Sequence, residues 1–147
     1  MDEQWMRLAL EEARKAAEAG ETPVGAVLVK DNELVCAAHN LRETTGDPTA
    51  HAELLALREG ARLLGGWRMR GCRLYVTLEP CPMCAGAMLM SQLDTCIYGA
   101  SDARQGCCGS VYDLPGDRRL GGVTRWQSGL LAEESTELIR QFFRARR

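Results

Sequence analysis

Cys72-Arg73-Leu74-Tyr75-Val76-Thr77-Leu78-Glu79-Pro80-Cys81-Pro82-Met83-Cys84 changes character part-way along. Its first seven residues are a β-rich, mostly apolar run, which reads as a buried strand. Pro80 breaks that strand, because it has no N–H to give a ladder. Pro82 then suits the first position of a helix over Met83–Ser91: its φ is already helical, and its missing N–H is one the helix would not have used. A strand that feeds a helix is the building unit of an α/β domain.

The pattern repeats outward from there. Upstream, a helix is expected from about Ala50 to Leu64, capped by Thr49 or by Asp47 ahead of Pro48. Leu54, Leu57, Ala61 and Leu64 form its expected buried stripe, and Gly65-Gly66 its end. Asn40–Pro48 is polar and irregular. Val24–Lys30 and Glu33–Ala38 read as a hairpin about the turn Asp31-Asn32. Residues 2–19 form a helix, with Trp5, Ala9, Ala13 and Ala16 at helical spacing. Downstream come a strand at Thr95–Tyr98, a Gly- and Cys-containing loop at Ser101–Asp117, a last strand at Val123–Gln127 and a last helix at Leu131–Arg146. The sum predicts one α/β domain over residues 1–147. Its expected architecture is a three-layer α/β/α sandwich, a mixed sheet of about five strands with helices on both faces.

Composition narrows the class. The chain has 147 residues, 46% apolar and 26% charged, with a net charge of −2. That is globular and excludes a disordered chain. No run approaches the roughly 18 apolar residues of a membrane span. The acidic start Met1-Asp2-Glu3 has no basic region before an apolar run, so an export signal is not expected and a reducing, cytoplasmic setting is. Seven cysteines are an odd number for a disulfide framework. The charge is uneven: residues 1–67 hold 12 acids and 7 bases, residues 68–147 hold 8 acids and 11 bases. A pI near 5.7 argues against a general nucleic-acid coat and leaves room for one local basic face.

The chemistry concentrates at two helix starts. Cys81 and Cys84 are three apart, so on a helical turn both sulfurs reach one ion, and the helix N-terminus favours their thiolates. His51 is one of only two histidines and adds a nitrogen from the other helix start. Two thiolates and an imidazole suit zinc. Three protein ligands leave a fourth tetrahedral position, which catalytic zinc sites keep for water. Glu53, two residues past His51, is the expected unligated carboxylate that handles that water's proton. A closed structural site would instead need a fourth ligand from Cys36, Cys72, Cys96, Cys107 or Cys108. The first three lie in strand-like runs where core cysteines are expected, which leaves the loop pair Cys107-Cys108. A redox CxxC would call for a thioredoxin-like pattern, which is absent.

The HxE at His51-Ala52-Glu53 and the PCxxC at Pro80–Cys84 resemble the signature of the zinc-dependent cytidine deaminase superfamily. Pro23-Val24-Gly25-Ala26-Val27, Asn40, Asp47–Glu53, Thr77–Met88 and Phe142-Phe143-Arg144 extend the likeness over nearly the whole chain, to its tRNA-specific adenosine deaminases. The resemblance implies a cytidine deaminase-like fold, one Zn²⁺ on His51, Cys81 and Cys84, and Glu53 as catalytic proton shuttle. It implies conversion of the wobble adenosine of a tRNA anticodon loop to inosine by a homodimer, with no DNA substrate. It also implies that Asn40, Asp102, Phe143 and Arg144 bind the substrate. Three positions depart from the family pattern: Gln92, Ser101 and Gly121-Gly122. Arg140, Arg144 and Arg147 share one face of the last helix, either as a contact for RNA phosphates or as a solvated edge. A free nucleobase or nucleoside deaminase shares every catalytic residue named here, and a non-catalytic zinc scaffold would have no use for Glu53.

Overall fold

The computed structural model describes residues 2–146. Its elements in chain order are α1 (Asp2–Glu18), β1 (Gly25–Lys30), β2 (Glu33–His39), the one-turn α2 (Arg42–Thr45), α3 (Ala52–Leu64), β3 (Cys72–Leu78), α4 (Pro82–Met90), β4 (Thr95–Ala100), β5 (Arg125–Gln127) and α5 (Ala132–Arg144). A 3₁₀ turn over Arg118–Leu120 precedes β5. The sheet order is β2-β1-β3-β4-β5. β1 is antiparallel to both of its neighbours, whereas β3, β4 and β5 run parallel. This is the mixed, five-stranded, three-layer α/β/α arrangement expected from the sequence.

Strand periodicity divides the core. On β1, Val27 and Val29 face one way with Tyr75 of β3 and Ile97 of β4, against Trp5, Met6 and Ala9 of α1. Ala26 and Leu28, with Leu74, Val76, Cys96 and Tyr98, face the other way against Ala52, Ala56 and Leu57 of α3 and Ala85 and Met88 of α4. Both faces of the inner strands are therefore covered, which is why β3 and β4 read as near-continuous apolar runs rather than alternating ones. Cys36, Cys72 and Cys96 lie in this core, as expected of cysteines in strands. The β1–β2 hairpin turns through Asp31 (φ 51°) and Asn32 (φ 60°). Two consecutive left-handed residues match the right-handed twist of the flanking strands.

Several local expectations are corrected. The cap of α3 is His51, and neither Thr49 nor Asp47 bonds to its first turn. Asp47 instead accepts from the amide and hydroxyl of Thr49, at 2.8 and 2.7 Å. The buried face of α3 is Ala52, Glu53, Ala56, Leu57 and Gly60, while Leu54 and Ala61 are half-buried and Leu64 is exposed. The helix is rotated so that Glu53 points inward. Asn40–Pro48 contains the short α2. The last strand is shorter than expected: its pairing with β4 begins only at Arg125, and Val123 is exposed.

Candidate metal centre and active site

β3 and α4 are joined through Glu79-Pro80-Cys81, and the loop that follows α2 delivers His51 to the same place. His51 and Cys81 are the N-cap residues of α3 and α4, both with extended backbone (φ −81°, ψ 149° and φ −76°, ψ 175°) and neither with a capping hydrogen bond from its side chain. Each side chain is thus free to point away from its own helix. Pro82 occupies the first helical position as expected. One turn on, Cys84 is fully buried.

Nδ1 of His51 stands 3.6 Å from the sulfur of Cys81 and 3.6 Å from that of Cys84. The three donor atoms lie within 4.8 Å of one another, and no other Cys, His, Asp or Glu among the described residues joins them. Bonds of about 2.3 Å to sulfur and about 2.0 Å to nitrogen, at the tetrahedral angle, separate the two donors by about 3.5 Å. The residues therefore fit a zinc ion that keeps one position open. Hydrogen bonds from Cys84 and His51 pull the Cys81 thiol down to about 4. A soft, readily ionised sulfur is the kind of donor that zinc favours.

Glu53 follows on the first turn of α3. It is 4% exposed, and its Oε1 is buried with no hydrogen-bond partner. Burial pushes its carboxyl up to about 7. An orphaned buried oxygen carries a desolvation cost that a structural role would have removed with a partner. Beside a metal triad it is the expected mark of a group that exchanges protons. The loop pair Cys107-Cys108 is buried but stands outside the triad: Cys107 and Cys108 belong to the core, and Tyr98 Oη donates to the carbonyl of Cys108 at 2.8 Å.

The family model for the cytidine and deoxycytidylate deaminase zinc-binding region matches residues 1–100, which include His51, Glu53, Cys81 and Cys84. The chain is 47% identical to the tRNA-specific adenosine deaminase of Bacillus subtilis over 97% of its own length and 89% of that protein's. It belongs to the zinc-dependent tRNA-specific adenosine deaminase family. A solved structure from a study of A-to-I editing by tRNA:A34 deaminases superposes on this deaminase with a TM-score of 0.89 and 39% identity, over 92% of this chain and 98% of that one. A guanine deaminase structure from Bacillus subtilis matches less of it: 38% identity over 67% of this chain and 64% of that one, with a TM-score of 0.65.

The residues expected to bind substrate in this deaminase divide into two groups. Asn40 lies at the metal centre, where its Oδ1 accepts from the amide of Ala52 at 2.8 Å and so caps the first turn of α3. Asp102 sits on the loop after β4, and its Oδ1 accepts from the amides of Arg104 and Gln105. Phe143 and Arg144 are on α5, in the other helical layer. Phe143 is half exposed and packs edge-on against Phe142, and Arg144 is exposed. Just past α5, the Arg146 side chain comes near Gly20, its guanidinium stacked 3.6 Å over the Phe142 ring. Arg147 lies outside the described residues. Gln92 takes a left-handed backbone (φ 61°) and accepts from Arg70 Nε at 3.0 Å. Gly122 is pressed against Leu89, where any Cβ would collide.

Two buried carboxylates escaped the sequence reading. Glu21 (1% exposed) accepts from the amides of Glu43 and Thr44 and the hydroxyl of Thr44, and so caps α2 from a distant loop. Glu79 (2% exposed) gathers the loop that carries Asp102. Both sit in quoted motifs or beside them, but their partners are mostly backbone amides, which carry no residue-type signal.

Proposed function

We propose that this protein hydrolyses the wobble adenosine of a tRNA anticodon loop to inosine, with Glu53 as proton shuttle and His51, Cys81 and Cys84 holding the zinc. When bound, the zinc supplies a Lewis acid that brings the pKa of water to about 7. Glu53 receives a proton from the attacking water as oxygen bonds to C6 of adenine, and passes it to N1. The same carboxyl then takes the remaining proton from the new C6 hydroxyl and gives it to the exocyclic amine, so that the C6 carbonyl forms as the C6–N bond breaks and ammonia leaves. A group that must both take and give a proton works best with a pKa near the working pH, and Glu53 at about 7 meets that demand. Asn40, anchored through Oδ1 on Ala52, keeps its amide NH₂ for the nucleoside.

The observation that carries the reading is the buried, unpartnered Glu53 oxygen beside a three-donor triad. The substrate assignment rests on the full-length likeness to tRNA-specific adenosine deaminases. The target base must leave its stack, which an anticodon loop permits at low cost. Phe143 and Arg144 supply a stacking surface and a positive charge for that loop. No helix among the described residues is long and apolar enough to cross a membrane, and a cytoplasmic homodimer suits the reading. Trp67 (54% exposed) and Met90 (75%) stand near the C-terminal ends of α3 and α4 and offer apolar surface to a second copy. Incubating the zinc-loaded protein with an arginine tRNA that carries wobble adenosine, and sequencing for inosine, tests the proposal. Guanine, cytidine and adenosine in parallel test the free-base reading. No deamination of any of them would favour a zinc scaffold.

A further inference from the structure

Glu79 follows β3, two residues before Cys81 of the metal triad, and its carboxylate is almost wholly enclosed. Oε1 accepts from the amide of Asp102 at 2.9 Å and from the hydroxyl of Ser110, and Oε2 from the amides of Cys108 and Ser110 at 3.0 and 3.1 Å. Four donors from one nine-residue stretch thus converge on one side chain. The stretch is tied to the metal-bearing turn a second time, through the amide of Cys107 on the carbonyl of Pro80 at 2.8 Å. The carboxylate comes so close to the chain that a Cβ at Gly106 would collide with it. At the rim, the same stretch presents Asp102 and the exposed Arg104 and Gln105. Hydrogen bonds that a carboxylate accepts are worth roughly twice neutral ones.

We propose that Glu79 is a positioning residue for the substrate: it fixes the 101–110 loop against the metal-bearing turn, so that the anticodon loop meets a preformed wall. This rests on the proposed tRNA substrate and on the expectation, from the family resemblance, that Asp102 binds it. The carboxylate touches neither ligand nor reacting atoms. Its effect therefore falls on how the substrate is held, because a wall that must order on binding lowers the fraction of protein ready to bind.

The test is Glu79→Gln, which keeps the shape but turns one acceptor oxygen into an NH₂ that faces N–H donors. Expected are one zinc per chain as before, amide exchange at Asp102, Cys108 and Ser110 faster by about tenfold or more, and a KM for an anticodon stem-loop raised by about tenfold with kcat within about threefold. Ser110→Ala removes only the hydroxyl bond, one of the four, and should move exchange and KM the same way by a smaller factor, which decides the matter if Glu79→Gln folds poorly. Unchanged exchange, or faster exchange with an unchanged KM, overturns the proposal. Asp102→Ala keeps its failure distinct from failure of the RNA reading: with RNA on the loop, that variant also raises KM.

Discussion

Thr44 donates both its amide and its hydroxyl to the Oε2 of Glu21, each at 2.6 Å. Burial works against the Glu21 charge, but the bonds from Thr44 and Glu43 outweigh it and hold the carboxyl below its ordinary 4.5. A carboxyl whose folded pKa is depressed stabilises the fold fully above its unfolded pKa and loses that contribution as pH falls through the folded value. Glu21→Gln should therefore lower stability by about 1–3 kcal/mol at pH 7. The gap from the parent protein should narrow as pH drops below about 4.5. Denaturant melts at pH 7, 5 and 3.5 measure it, and a gap that is constant with pH would remove the ionised carboxylate from the account.

Asn40 has two separable jobs. Its Oδ1 caps α3 through Ala52, and in the proposed function its NH₂ serves the nucleoside. Asn40→Ala should lose both, with a stability cost of about 1 kcal/mol. Asn40→Asp keeps an acceptor for Ala52 but has no donor. That variant should melt close to the parent while its kcat/KM on an anticodon stem-loop falls by about tenfold or more. Equal activity in Asn40→Asp would leave the cap as Asn40's only role.

Arg144 is exposed and takes part in no ion pair among the described residues, whereas Arg140 is paired with Glu137 at 3.2 Å. A cation that neutralises a phosphate contributes about one unit to the slope of log affinity against log salt. Arg144→Glu should weaken stem-loop binding and flatten that slope, and Arg140→Glu should do so less. Identical slopes for all three proteins would return the α5 edge to ordinary solvated surface.

The apolar ends of α3 and α4 predict the oligomer. Trp67→Glu combined with Met90→Glu should shift the sedimenting species from two chains to one while each chain stays folded by circular dichroism. A parent protein that sediments as a single chain would contradict the homodimer.

What the sequence showed and what it hid follow one physical division. Pro82 at a first helical position, the Asp31-Asn32 turn and the apolar run of β3 are local signals, and each marked its element correctly. The metal triad was legible because zinc demands particular residue types at particular spacings. The rotation of α3 was not, since its stripe of leucines is half solvent-facing while Glu53 turns inward: a buried carboxyl inverts the usual inside-outside rule. Thr49 looked like a cap by type, yet the residue at the cap position is His51, whose ring faces the two sulfurs instead. Glu21 and Glu79 act on backbone amides brought together only by the fold, over sequence separations of more than 20 residues.

The central claim is that Glu53 moves the proton while His51, Cys81 and Cys84 alone hold the metal. The most direct test is Glu53→Ala, assayed together for zinc by elemental analysis and for inosine in an anticodon stem-loop. The account predicts one zinc per chain and a rate reduced by at least about 10²–10⁴. A zinc-loaded Glu53→Ala protein that makes inosine at the parent rate, or one that has lost its zinc, would contradict it.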